Sequence, residues 1–171
     1  FFAVDRNTIK YIGSAQDYKR AFDQDRGPNT GGMGSFSPSP LLNERNLDKI
    51  VNKIVKPTLE YMREIGSEFS GILYTGLILN KGEPKLIEYN VRFGDPECQA
   101  LCVRLGAQMF DIYFSGAKNE LCSLSINEAC DSAITVIVAE KGYPRNPRSG
   151  CELNDIVNTK YENALKIFQC T

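Results

Sequence analysis

Residues 27–34 read Gly-Pro-Asn-Thr-Gly-Gly-Met-Gly, with four glycines and one proline in eight positions. Glycine gives up the most backbone freedom on ordering, and proline has no N–H to donate. The run is therefore expected to form neither a helix nor a strand interior. It predicts a long, backbone-rich loop that continues through the serine- and proline-rich residues 35–40. Two uses stay open for such a loop. It is a structural connection, or its successive N–H groups form a nest for an anion. Its spacing matches neither G-x-x-x-x-G-K-[ST] nor G-x-G-x-x-G, so the two best-known glycine-rich phosphate motifs are excluded.

Short strands and helices are expected on both sides of the loop. Residues 1–4 and 10–13 predict two strands, with Asp5, Arg6 and Asn7 in the turn between them. Residues 17–26 form a short charged stretch. Asn43 can cap a helix whose apolar face is Leu47, Ile50, Val51, Ile54, Val55, Thr58, Met62 and Ile65. Gly66 is its expected stop, and Pro57 predicts a kink or a break. Residues 71–79 and 85–92 predict an antiparallel hairpin that turns at 80–83 and is ended by Phe93-Gly-Asp-Pro96. Leu101, Cys102, Leu105, Met109 and Ile112 continue as one or two amphipathic helices. Residues 132–140 predict a last apolar strand. Interleaved strands and helices place the chain in the α/β or α+β class, with a division between Leu121 and Ser132.

The chain has 171 residues, 42% of them hydrophobic, which suits a globular domain. Its 20 basic and 21 acidic side chains leave no basic excess of the kind that marks a nucleic-acid binder. No apolar run approaches the ~18 residues of a membrane span. The absence of histidine excludes His-ligated zinc and Ser-His or Cys-His nucleophile pairs. Any acid–base or metal chemistry must use carboxylates, amides, Lys, Arg or Tyr. The six cysteines, at 98, 102, 122, 130, 151 and 170, form no CxxC pair and are expected as small buried residues. Cys98 and Cys102, four apart in a helical pattern, should share one face. Free cysteines suit a reducing cytoplasm.

The chemistry is concentrated at residues 85–92. Side chains alternate faces along a strand, so Ile87, Tyr89 and Val91 are expected in a core and Glu88, Asn90 and Arg92 opposite them. Either this is an ordinary solvent-facing strand or it is a site for metal–phosphate chemistry. Glu and Asn oxygens are hard ligands of the kind Mg²⁺ takes, and Arg can hold a phosphate or carboxylate in a bidentate fork. Asp95 and Glu97 add carboxylates at the strand's end, and Asp17, Lys19 and Arg20 could contact a polar substrate.

Residues 27–34 with Ser37-Pro38, and residues 88–97 (Glu-Tyr-Asn-Val-Arg-Phe-Gly-Asp-Pro-Glu), closely resemble two stretches of the phosphoribosylamine–glycine ligase family, the glycinamide ribonucleotide synthetases of the ATP-grasp superfamily. Residues 16–20 and Gly142-Tyr143-Pro144 look like further landmarks of that family. The resemblance implies an ATP-grasp portion over 1–125, with an antiparallel sheet flanked by helices, and the start of a carboxy-terminal lobe over 126–171. It implies ATP-dependent joining of glycine to phosphoribosylamine through a glycyl phosphate, in purine biosynthesis. Glu88 and Asn90 would then be the Mg²⁺ or Mn²⁺ ligands, and Arg92 the catalytic residue that steadies the transferring phosphoryl group or the acyl phosphate. Asp17, Lys19, Asn29, Thr30, Gly31, Gly32 and Asp95 would shape the substrate side. Another ATP-grasp carboxylate–amine ligase, or a non-catalytic remnant of the fold, is the competing reading. In the family, the amino-terminal domain and the lysine and hinge that hold ATP precede the strand matching Phe1-Phe2. The carboxy-terminal lobe continues past the match to residues 166–171. The 171 residues are therefore expected to be an incomplete catalytic portion, inactive alone.

Overall fold

In the computed structural model, which describes residues 1–127, 129, 131–148, 150 and 165–169, the opening apolar run forms β1 (Phe2–Val4). The Asp5 carboxylate turns the chain into β2 (Ile9–Tyr11): its Oδ1 accepts from the N–H groups of Asn7 (2.9 Å) and Thr8 (2.7 Å). On its other edge β1 pairs with β5 (Gly71–Asn80), which pairs with β6 (Glu83–Asn90). The result is an antiparallel sheet of order β2-β1-β5-β6. Lys81 and Gly82, both at positive φ, make the tight turn of the β5–β6 hairpin.

The sheet is covered on both faces, which is why β1 reads as a continuous apolar run. Phe1, Ala3 and Ile72 join a core with Leu101 and Leu105 of α3 (Glu97–Leu105) and Ile112 of α4 (Gln108–Ala117). Phe2, Val4 and Leu73 face the opposite core, with Ile50, Val55 and Leu59. That second cover is the expected helix, present as α1 (Glu44–Ile50) and α2 (Lys56–Glu64). Asn43 Oδ1 caps it by accepting from the Asn46 N–H at 2.9 Å, and Gly66 ends it at φ +74°. Pro57 does not break the helix. A π-helical turn, Val51–Val55, precedes it, and Pro57 falls in the first turn of α2, where a missing N–H is tolerated.

The glycine run corrects the sequence expectation. It lies in β4 (Arg26–Ser37), the central strand of a second antiparallel sheet of order β3-β4-β7, with β3 (Gln16–Phe22) and β7 (Ala133–Val136). The charged stretch from residue 17 is thus largely strand as well. Glycine is retained in β4 because neighbours come too close for a side chain: a Cβ on Gly34 would stand 2.7 Å from the Thr135 carbonyl oxygen. β7, beyond the expected division at 125/126, pairs with β4 at Ile134↔Phe36 and its neighbours.

Three further expectations change. β6 ends at Asn90, so Arg92 lies in the following turn. Ile87 and Val91 are 65% and 71% exposed, and of the three expected core residues only Tyr89 packs on the apolar cluster beneath α1 and α2. β6 is a sheet edge, and a bulge at Gly76/Leu77 leaves Ile87 with no opposite residue. Cys122 is exposed and Cys98 and Cys102 are half-buried, so burial of the thiols is incomplete. Cys130, Cys151 and Cys170 lie outside the described residues, as does Thr171 at the end of the stretch compared with the family's carboxy-terminal lobe. Among the described residues no helix is long and apolar enough to cross a membrane.

Asp5 ties the two ends of this layer together, since its Oδ2 accepts from the Leu121 N–H at 2.9 Å while the residue is 2% exposed. Burial alone would raise its pKa, but the three backbone N–H bonds outweigh that and hold it below the ordinary carboxylate value. Its stabilising contribution is therefore complete above the unfolded value and is lost as pH falls through the lower folded value. Asp5→Ala is expected to cost about 2–4 kcal/mol at pH 7 by urea denaturation, and clearly less under acid conditions where Asp5 is protonated.

Candidate functional site

Glu88 and Asn90 project from one face of β6, and Asn90 Nδ2 donates to Glu88 Oε1 at 3.2 Å. Across the hairpin, Gly76 stands opposite Glu88 and Tyr74 opposite Asn90. A Cβ on Gly76 would lie 3.0 Å from Glu88 Cγ, so the glycine lets Glu88 lie down over β5. The Tyr74 hydroxyl donates to Oε1 of Glu97 at 2.8 Å. Glu97 opens α3 and is 2% exposed. It folds back over Gly94, where a Cβ would meet its carboxylate oxygen at 2.3 Å. From β3, Lys19 Nζ approaches Asp17 Oδ2 at 3.1 Å.

These groups share one electrostatic neighbourhood. Burial, and then the carboxylates of Glu97, Asp17 and Glu88, push the Tyr74 phenol well above its ordinary range. For Lys19, burial works to lower the pKa, but Asp17, with Glu97 and Glu88 behind it, outweighs burial and raises it. Three carboxylates therefore act on one ammonium, with the Asn90 amide alongside. Such a surplus of oxygen donors suits a hard divalent cation.

The second sheet closes against this group through backbone. A Cβ on Gly32 would stand 2.4 Å from Pro96 Cδ and 2.9 Å from the Asp95 carbonyl oxygen. Beside it, Ser35 Oγ donates to the Pro96 carbonyl at 3.0 Å. Thr30 Oγ1 donates to the Lys19 carbonyl (2.9 Å) and accepts from the Gly32 N–H (3.1 Å). The Gly31 N–H donates to the Tyr143 hydroxyl at 3.2 Å. The N–H groups of Gly31 and Gly32 are thus engaged within the chain, and β4 contributes close approach.

The expected site residues divide accordingly. Asp17, Lys19, Glu88 and Asn90 come together around Tyr74. Thr30, Gly31 and Gly32 frame them from β4. Asn29 is exposed opposite Arg20. Arg92 is exposed and its Nη1 donates to the Phe93 carbonyl at 2.7 Å. Asp95 is exposed and accepts from Gln99 Nε2 at 2.8 Å. Among the described residues, no hydrogen bond or ion pair joins Asn29, Arg92 or Asp95 to the carboxylates near Tyr74. Nor does any group of three His, Cys, Asp or Glu side chains form a metal cage there. A Glu–Asn pair nevertheless fits Mg²⁺ or Mn²⁺, because Mg²⁺ commonly takes only one or two protein oxygens and completes its shell with water and phosphate.

Residues 1–98 match the family model described as phosphoribosylglycinamide synthetase, ATP-grasp (A) domain. The chain belongs to that family. A phosphoribosylamine–glycine ligase of Brucella melitensis is 40% identical over 98% of this chain and 40% of its own length. One from Vigna unguiculata is 45% identical over 98% of this chain and 55% of its own length. The crystal structure of a phosphoribosylamine–glycine ligase from Thermotoga maritima superposes with a TM-score of 0.79 at 32% identity, covering 86% of this chain and 37% of that one. The chain thus spans about half, or less, of the relatives it matches, and its mixed α/β fold is that of part of an ATP-grasp enzyme. Within the residues of the phosphoribosylglycinamide synthetase match, Tyr74 is the residue at the centre of this candidate group that sequence reasoning missed. The one local signal was Gly76, since a glycine inside a strand pattern marks a bulge or a close backbone approach.

Two substitutions test this geometry. Gly32→Ala is expected to destabilise the chain by about 2–4 kcal/mol, because Pro96 and the Asp95 carbonyl must move and φ is +150°. Gly31→Ala, whose Cβ would meet nothing nearer than the Tyr143 hydroxyl at 3.6 Å, should stay within about 1 kcal/mol in the same thermal unfolding series. Tyr74→Phe strips a buried carboxylate of its hydroxyl partner and should cost about 1–3 kcal/mol.

Proposed function

We propose that this chain is the metal- and phosphate-facing part of an enzyme that joins glycine to 5-phosphoribosylamine, giving glycinamide ribonucleotide, ADP and phosphate. The names of the relatives support the two substrates, and the ATP-grasp match supports ATP as phosphoryl donor. The observation that carries the reading is the convergence of Glu88, Asn90, Asp17 and Lys19 on Tyr74, within the matched residues.

In this reading the glycine carboxylate oxygen bonds the γ-phosphorus of ATP and ADP leaves. The amine of phosphoribosylamine then attacks the acyl carbon of glycyl phosphate, forming the C–N bond as phosphate leaves. Glu88 and Asn90 would hold Mg²⁺ or Mn²⁺, which supplies neutralisation of phosphate charge when bound. Arg92, on exchanging its Phe93 carbonyl contact for substrate, presents a planar fork to the transferring phosphoryl group. Lys19, kept cationic by Asp17, faces the same oxyanions. Asn29, Thr30, Gly31, Gly32 and Asp95 shape the substrate side. The natural division of labour is an ATP-grasp portion over 1–125 and a carboxy-terminal lobe from 126. The setting is cytoplasmic, although a relative from Arabidopsis thaliana is named chloroplastic.

The test is a chimera in which residues 1–171 replace the matched segment of the Brucella melitensis relative. ADP release should require both glycine and phosphoribosylamine, and product analysis should identify glycinamide ribonucleotide. Glu88→Ala with Asn90→Ala should lower kcat at least about 100-fold, in line with the usual weight of electrostatic positioning in phosphoryl transfer. Unchanged turnover in that double variant would remove the metal assignment, and a different acyl acceptor would remove the substrate assignment.

A further inference from the structure

Outside the carboxylate site, α3 carries a pair of thiols. Cys98 and Cys102 lie one helical turn apart, and their Sγ atoms are 3.8 Å from each other. Both are half-buried and neither is in a disulfide. Cys98 packs against the core beneath α3 and α4, and the Tyr113 phenol of α4 feels both sulfurs. We propose that Cys98 and Cys102 form a chelating site for trivalent arsenicals of the monosubstituted arsenous acid class, R–As(OH)₂, one per chain.

The geometry favours one bridging atom over the alternatives. A disulfide would require the sulfurs to close from 3.8 Å to about 2.05 Å with a dihedral near 90°, against the rigid rise of a helical turn. A single arsenic bonded to both sulfurs leaves them close to where they already stand. A metal ion needs deprotonated thiols. Here burial first, then Cys102, and then Asp95 and Glu97 push the Cys98 thiol up to about 12. No third ligand of the His, Cys, Asp or Glu type completes a cage among the described residues. The arsenical avoids that cost. Two As–O bonds and two S–H bonds break, two As–S bonds form, and each thiol hydrogen leaves with an arsenic hydroxyl as water. Nothing is oxidised or reduced, and no anion is left beside Asp95 and Glu97. The inference does not rest on the ligase reading.

The probe is phenylarsine oxide, which hydrates to a member of this class. Intact-mass measurement on the 171-residue chain should show one adduct that survives excess glutathione and is released by 2,3-dimercaptopropanol. Peptide mapping should place it across Cys98 and Cys102. Cys98→Ser, and separately Cys102→Ala, should retain arsenical roughly 100-fold less tightly against the same monothiol, because the second bond is intramolecular. A chain with Cys122, Cys130, Cys151 and Cys170 all changed to Ser should retain it fully, with circular dichroism confirming the fold of each variant. Mapping to any other cysteines, or a glutathione-resistant adduct in Cys98→Ser, would overturn the proposal. So would failure of the folded four-serine chain to bind.

Discussion

The contact between Gly32 and the Asp95-Pro96 peptide is the constraint on which the arrangement depends. With a Cβ position only 2.4 Å from Pro96 Cδ, the second sheet meets the start of α3 there at a distance that only glycine permits. The buried bond from Ser35 Oγ to the Pro96 carbonyl fixes the same approach through a side chain. Because Pro96 directly precedes α3, this contact also sets where Glu97 begins its helix. Tyr74 reaches Glu97 from β5, while Asp17 and Lys19 arrive from the sheet that β4 anchors. Remove the close approach and the groups that meet around Tyr74 belong to separate layers.

Charge is the second feature of this meeting point. Asp17, Glu88 and Glu97 act together on a single ammonium, Lys19, and raise the pKa of both Lys19 and the Tyr74 phenol. Burial opposes the ammonium and favours the neutral phenol. The group thus sets three carboxylates against one ammonium. In the function proposed above, a cation on Glu88 and Asn90 would offset this carboxylate surplus where phosphate approaches.

Local signals made much of this visible in the amino-acid sequence. The Asn43 cap, the Gly66 stop, the β5–β6 hairpin and the same-face placement of Cys98 and Cys102 follow from chemistry within a few residues. What was hidden depended on partners far along the chain. The glycines of 27–34 look like loop residues until Thr135 and Pro96 stand against them, because nothing local says that a strand will be approached so closely. Ile87 and Val91 look like core until the bulge at Gly76 and the edge position of β6 are known. Asn90 was legible as a ligand type, but its neighbour Tyr74 was not: a regular two-residue hairpin would have set Tyr74 opposite Tyr89, and the bulge moves the register by one. The contact of Arg92 with its own neighbouring carbonyl likewise has no sequence signature.

The central place of β1 has a consequence for how the chain is made. Its Phe-Ala-Val strand, flanked by Phe1, sits between β2 and β5, and Asp5 at its end bonds to Leu121, 116 residues later. One edge of β1 finds its partner within a few residues, but the other must await β5, and both faces await helices. During synthesis, β1 therefore emerges before β5 and before the helices that cover it. Contacts of such wide sequence separation slow folding and prolong exposure of unpaired strand edges. Until β5 and the helices arrive, the free edge of β1 is open to pairing with another chain.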